Sequence, residues 1–453
     1  MQPFRYHVFV CDQQKPEGVP CCSARGSRQV LEALRGAVSA QGLADQVQIT
    51  QCGSIGLCER GPNMVVYPDG VWYSGVTAAD VPEIVRSHFA NAQPVERLVN
   101  GDQQAVRAEI ESNKSKMIAG LKAKDAAGAL PDDLYQSIRA YQESRAILTA
   151  VELDVFNAVA DGVNAEAAAA KMSADPRTTE MLLNALVALG LLTKSDGVFR
   201  NTPAAARYFT TGSPDDARYA TLHIANLWHR WSNLTDCVRA GAAVERRESA
   251  EPAVPWTDSF IAAMHRNARE RAPQVVRAVG TEGVRRMLDV GGGSGAYSIA
   301  FAQAAPGLHA EILDRPDVLA IARGHIERAG LTARIATRAG DLRSDALGAG
   351  YDLILILAIC HMLGPDENRD LLRRSFRALA PGGRVAIQDF ILEEDKTAPK
   401  AAALFSLNML VGTAEGASYN ESEYRGWLRE AGFRDISRIR LPGPGGVILA
   451  GKG

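Results

Sequence analysis

Long apolar runs are missing from this sequence. The longest, Leu353 to Leu363, is closed off by Asp352 and Gly364, about half the ~20 residues that a membrane-spanning helix needs, so it reads as a buried parallel strand. Met1 to Val10 has neither a long apolar core nor a small-residue cleavage site, so no signal peptide is expected and a cytoplasmic location follows. No lysine-arginine block occurs and the formal net charge is −2. That argues against nucleic acid or an anionic membrane as partner and leaves small molecules as ligands. Cysteine is scarce and uneven: of seven, Cys11, Cys21, Cys22, Cys52 and Cys58 fall in the first 58 residues. In a reducing compartment such clustering indicates metal binding or redox chemistry before disulfides, whereas Cys237 and Cys360 read as buried thiols.

What is present suffices for more than one core: 453 residues, 46% hydrophobic, imply two or three domains. In residues 1–95, Tyr6 to Val10 is a short strand ending at Cys11, and a helix runs from Ser27 to about Gln41. A second strand, Val47 to Thr50, leads into Cys52 and Cys58, and Met64 to Tyr67 and Val71 to Tyr73 form a hairpin around Pro68-Asp69-Gly70. Each candidate ligand, Cys11, Cys22, Cys52 and Cys58, therefore sits on a loop at a strand end, and four thiolates accept zinc as readily as iron and sulfide. Cys11 with Cys22 eleven positions on, Cys58-Glu59-Arg60-Gly61-Pro62 and Val66-Tyr67-Pro68-Asp69-Gly70-Val71-Trp72-Tyr73 resemble the thioredoxin-like [2Fe-2S] ferredoxins. The resemblance implies one [2Fe-2S] cluster on those four cysteines and an electron-donor reductase as partner. The family's third ligand lies four positions before the fourth, where this chain has Ser54, so either Cys52 substitutes or the serine ligates. Cys21 is then a spare thiol.

Residues 96–130 are charged and alanine-rich and read as a partly ordered tether. From 131 to 250 helical periodicity returns: Leu134, Ile138, Tyr141, Ala146 and Ile147 share faces, short helices follow to Leu189, and Gly190 to Phe199 makes a hairpin turning at Asp196-Gly197. Helices followed by such a wing form a winged-helix unit. Arg177 to Leu189 is mainly Leu, Ala and Met, which favours a dimerisation role, and so a homodimer, over DNA binding. Leu222 to Trp231 is dense in His and Trp; helix packing explains His223. Trp228, His229 and Trp231, with Met264, His265 and Asn408 further on, are candidates for the wall of a pocket that holds a flat acceptor.

In residues 251–453, Arg286 to Val290 reads as a buried strand running into Gly291-Gly292-Gly293-Ser294-Gly295 and a helix, which lets backbone approach a nucleotide-like ligand. A second strand ends in Asp314, placed where a carboxylate holds a ribose. Strands and helices then alternate, with Asp289, Asp314, Asp341 and His361 at strand ends, the ligand edge of a parallel sheet. The glycine turn, Leu313-Asp314-Arg315-Pro316, Gly340-Asp341, His361 with Pro365-Asp366-Glu367-Asn368, Leu379-Ala380-Pro381-Gly382-Gly383 and Trp427-Leu428-Arg429-Glu430-Ala431-Gly432-Phe433 resemble the class I S-adenosylmethionine-dependent methyltransferases. Within these they resemble the dimeric O-methyltransferases that include acetylserotonin, hydroxyneurosporene and plant phenolic enzymes.

The resemblance implies that Gly291, Gly293 and Gly295 pass the methionine part of the cofactor, that Asp314 binds its ribose, and that Gly340 and Asp341 lie near its adenine. Asp289 orients the loop and the cofactor's ammonium. His361 matches the family's general base, an imidazole able to take a hydroxyl proton as the oxygen attacks the methyl. Met362 and Leu363 follow it where the family has an acidic or aromatic residue, which leaves its orienting partner open.

The expected fold class is α/β and multidomain: a thioredoxin-like ferredoxin domain (1–95), a linker (96–130), a helical winged-helix dimerisation and substrate domain (131–250) and a Rossmann-like methyltransferase domain (251–453). The leading function is O-methylation of a hydroxylated aromatic or polyene-like small molecule, with the cluster for electron transfer or redox control. The alternatives are a redox protein on a methyltransferase-like scaffold, and non-methylating chemistry such as hydroxylation or decarboxylation. His361 favours the first, and the intact glycine loop weakens the scaffold reading.

Overall fold

The computed structural model describes residues 3–15, 19–126, 130–244, 256–443 and 445–453. The expected boundary at 250/251 lies outside the described residues. The chain divides into two compact units, Met1–Ser137 and Ile138–Gly453.

In the first unit, β1 (Tyr6–Cys11) alternates buried Tyr6, Val8 and Val10 with half-exposed His7 and Phe9, the period of a strand with one covered face. The helix Ser27–Ala40 buries Val30, Leu31, Leu34 and Val38 at helical spacing. It carries the chain over to β2 (Val47–Cys52), parallel to β1 with Cys11 opposite Cys52. β3 (Asn63–Tyr67) and β4 (Val71–Ser74) form the expected hairpin, and the sheet order is β2-β1-β3-β4 with β3 antiparallel to β1. The stretch expected as a partly ordered tether holds a helix, Gln103–Ala126. Alanine favours helix, and a few apolar side chains suffice to dock it on this unit: Val106 is buried, Ile110 lies against Gly56, and Asn113 Nδ2 donates to the Gly56 carbonyl at 2.8 Å.

The second unit opens with the helices Tyr141–Glu152, Val155–Ala158, Ala165–Met172 and Pro176–Ala188. Asn164 and Asp175 start the last two by accepting from the first-turn backbone. β5 (Leu192–Ser195) and β6 (Val198–Asn201) make the wing, with Asp196 and Gly197 both at positive φ, as a two-residue hairpin turn requires.

The main sheet follows: β7 (Arg286–Val290), β8 (His309–Asp314), β9 (Ile335–Ala339), β10 (Tyr351–Leu357), β11 (Leu379–Leu392), β12 (Tyr419–Asn420), β13 (Arg434–Arg440) and β14 (Gly445–Gly451). Its order is β13-β14-β11-β10-β7-β8-β9, with β12 beside β11. β7 to β11 run parallel, and β14 runs antiparallel to both β11 and β13. Along β10, Leu353, Leu355 and Leu357 enter one core with Val275, Phe301 and Leu319, while Ile354 and Ile356 enter the other with Leu371, Tyr424 and Trp427. Covering both faces is what makes that strand a continuous apolar run. The strand order reverses at β7, so a crevice opens above the carboxyl ends of β7, β8 and β10. Among the described residues no helix is long and apolar enough to cross a membrane.

Candidate active site

β7 ends in Asp289 and Val290, and Gly291, Gly293 and Gly295 then take φ of 67°, 57° and 77°, values that favour glycine. A Cβ at Gly291 would overlap the Ile359 side chain, whereas one at Gly293 would meet nothing within 4 Å, so the outer side of the loop is open backbone. Asp289 lies beneath it, 1% exposed. Its Oδ2 accepts from Ser298 Oγ at 2.7 Å, and its Oδ1 has no hydrogen-bond partner. Burial pushes this carboxyl up to about 6. A buried carboxylate with a bare oxygen beside open backbone suits an ammonium group.

At the end of β8, Asp314 Oδ2 accepts from the Gly293 N–H at 2.8 Å and Oδ1 from the Arg315 N–H at 2.7 Å. Each oxygen keeps a second lone pair for a hydroxyl. Past β9, the Gly340 N–H donates to the Asp314 carbonyl at 3.0 Å, and exposed Asp341 accepts the Arg343 N–H at 2.8 Å.

His361 sits on the single turn Cys360–Met362 after β10, 7% exposed. Its Nδ1 is 2.6 Å from Asp389 Oδ1, and its backbone N–H donates to Asp389 Oδ2 at 3.1 Å. The Phe390 N–H at 2.8 Å and the Tyr424 hydroxyl at 3.3 Å also donate to this carboxylate, which fixes it. Asp389 is the orienting partner that the sequence left open. With Nδ1 engaged by Asp389, Nε2 is the ring nitrogen left to exchange a proton. Phe405 stands edge-on to the His361 ring at 4.8 Å and stacks on Phe390 at 4.2 Å, so aromatic faces border the imidazole. Burial, then the Asp389 charge, pushes the Cys360 thiol well up, as suits a packing residue.

The six pocket candidates divide. Trp231 Nε1 donates to Asn408 Oδ1 at 2.9 Å, which joins the helix Arg218–Trp231 to the helix Lys400–Gly412 that carries Phe405. Met264 is half-buried on the helix Trp256–Val279. His265 instead bonds Ser294 Oγ of the glycine turn at 2.8 Å and stacks on His325 at 3.8 Å. Burial, then His325, pushes it down to about 4, so it is neutral at pH 7. Trp228 lies under the Arg145 guanidinium at 5.7 Å, and His229 is exposed.

In the first unit the cysteines come together in pairs. Cys11 faces Cys52 across the strands, and the adjacent Cys22 thiol pulls Cys11 down to about 6, while burial pushes Cys52 up to about 11. Cys58 Sγ lies 3.3 Å from Ser54 Oγ. Buried Asn63, which the sequence did not single out, donates to Cys22 Sγ at 3.3 Å. Among the described residues no group of three or more His, Cys, Asp or Glu side chains is placed to hold a metal ion.

Residues 135–211 match the O-methyltransferase dimerisation domain and residues 246–434 the O-methyltransferase domain. The chain is 36% identical over 320 residues to the 3-hydroxy-5-methyl-1-naphthoate 3-O-methyltransferase of Streptomyces sahachiroi, covering 68% of this chain and 92% of that one. It is 30% identical to the tetracenomycin polyketide synthesis 8-O-methyl transferase TcmO of Streptomyces glaucescens, covering 71% and 97%. The crystal structure of human N-acetylserotonin methyltransferase in complex with S-adenosylmethionine superposes with a TM-score of 0.62 at 28% identity, over 71% of this chain and 96% of that one. The chain therefore belongs to the S-adenosylmethionine-dependent O-methyltransferases and carries that family's dimerisation domain ahead of its catalytic domain.

Proposed function

We propose that the protein methylates a hydroxyl of a flat, hydroxylated aromatic or polyene-like small molecule, with His361 as general base. The observation that carries this reading is the His361–Asp389 pair at 2.6 Å, bordered by Phe405 and one strand away from the glycine loop. Bound S-adenosylmethionine supplies an activated methyl group on a sulfonium centre. Asp289, with the backbone at Gly291, Gly293 and Gly295, receives its amino-acid end, Asp314 its ribose, and Gly340 and Asp341 its adenine. Asp389 holds the His361 ring through Nδ1, so Nε2 takes the acceptor's proton as the oxygen attacks. Phe390, Phe405, Met264 and the Trp231–Asn408 pair wall the acceptor, and the hydroxynaphthoate in the name of the Streptomyces sahachiroi relative agrees with such a wall. His361→Ala should cut methyl transfer by about 100-fold or more while S-adenosylhomocysteine still binds; equal loss of both would overturn the assignment.

The helices of the dimerisation domain join two copies in this reading. For the first unit we propose one [2Fe-2S] cluster on Cys11, Cys22, Cys52 and Cys58, serving electron transfer or redox control and reduced by a separate reductase. Support comes from the β2-β1-β3-β4 sheet, the Cys11–Cys52 register and the Cys22–Cys11 contact. No catalytic step is assigned to it. Iron and acid-labile sulfide are expected in equal amounts after anaerobic purification, and a colourless zinc protein would overturn the assignment.

A further inference from the structure

One charge on the helix that precedes β7 has no ion pair among the described residues. Arg271, half-buried on the helix Trp256–Val279, places its guanidinium 5.6 Å from the centre of the Phe390 ring. Among the described residues it forms no ion pair, although a guanidinium away from bulk water is ordinarily matched by a carboxylate or phosphate. Asp289 is the reverse case, a buried carboxylate with Oδ1 unpartnered. The two converge on Tyr297, two residues past Gly295, whose hydroxyl donates to Gln388 Oε1 at 3.3 Å. Its phenol feels the Arg271 cation and the Asp289 anion in opposite directions. Gln388 and Phe390 in turn flank Asp389, which holds the base.

We propose that Arg271 and Asp289 form a two-charge clamp for the free amino-acid end of the cofactor, the guanidinium taking the α-carboxylate and Asp289 the α-ammonium. The inference rests on the cofactor site read above and adds a positioning residue to it. A zwitterionic α-amino acid needs one anion and one cation close together, and leaving either of its charges unpaired in a dry site is unfavourable. An anionic methyl acceptor would match Arg271 but would leave Asp289 bare. The adenosine part carries no formal charge and engages neither.

Titration calorimetry on the wild type, R271Q and R271K separates these cases, with S-adenosylhomocysteine and with 5′-methylthioadenosine, which keeps the nucleoside and sulfur but lacks the amino-acid end. R271Q should weaken S-adenosylhomocysteine on the order of tenfold or more, R271K by less, and all three proteins should bind 5′-methylthioadenosine equally. Unchanged S-adenosylhomocysteine affinity in R271Q overturns the clamp. So does equal weakening of both ligands, which marks a folding or nucleoside-pocket effect, or a loss confined to the acceptor's KM. A wild type that binds neither ligand overturns the cofactor site itself.

Discussion

Replacing Asp289 with Asn tests whether its buried carboxylate is kept for binding at the expense of stability. The carboxyl is held at about 6 rather than 3.8 by burial, opposed by the Ser298 hydroxyl bond and reinforced by Asp314. A folded-state value above the unfolded one means that this group's favourable contribution is complete below about pH 4 and is lost as the pH climbs through 6. The loss, roughly two units at 1.36 kcal/mol each, comes to about 3 kcal/mol at pH 7. Asparagine has no charge to desolvate, so that dependence vanishes. Its amide in place of the bare Oδ1 leaves a buried N–H without an acceptor, which costs about 1–3 kcal/mol at every pH. In denaturant melts without cofactor, the stability difference should move in the variant's favour by about 1.3 kcal/mol between pH 5 and pH 7. The variant should also lose affinity for S-adenosylhomocysteine. In the wild type that affinity should weaken by up to tenfold for each pH unit below about 6, where a proton competes for the carboxylate. A stability difference that is flat with pH, or that moves against the variant, refutes the buried-charge account, and unchanged affinity refutes the ammonium contact.

Asp389→Asn removes the acceptor that fixes the His361 ring, so kcat should fall about 100-fold with S-adenosylhomocysteine affinity retained in calorimetry; a parallel loss of affinity would make Asp389 a folding residue. Ile138, Tyr141 and Met181 expose 56%, 55% and 60% of their surface in the dimerisation domain, which is unusual for large apolar side chains. Ile138→Glu with Tyr141→Glu should turn a dimer into a monomer in sedimentation velocity, and a persistent dimer would move the interface elsewhere. In the first unit Cys52 is bound by register to Cys11, while Ser54 contacts Cys58 and accepts the Gly56 N–H at 3.2 Å. Cys52→Ser should therefore lower the iron and sulfide content of anaerobically purified protein and Ser54→Ala should not; the opposite pattern would make the serine the ligand.

The glycine turn was legible because its geometry leaves a residue-type signature: positive φ at Gly291, Gly293 and Gly295 and the Ile359 side chain close to Gly291 all exclude larger residues. β10 was legible because covering both faces of the sheet writes an unbroken apolar run. Asp389 was missed for a narrower reason. β11 continues to Leu392, which puts Asp389 near its carboxyl end, where the reasoning that selected Asp289 and Asp314 applies to it equally.

The helix Arg218–Trp231 shows what sequence alone does not carry. His and Trp occur on several of its sides, and Trp228 and Trp231, three residues apart, meet Arg145 and Asn408 respectively. What each aromatic meets is decided by the neighbouring helices, not by helical period. The same holds for His265. The sequence offered it as a pocket wall, yet its bond to Ser294 ties it to the glycine turn. Asp289 below that same loop keeps one carboxylate oxygen without a hydrogen bond, and Arg271 on the helix Trp256–Val279 meets the Phe390 ring rather than a carboxylate among the described residues. The loop's glycines set where a ligand can approach, and the unpaired charges restrict which ligand is favoured there, so specificity at this edge lies in the side chains that glycine spacing does not reveal.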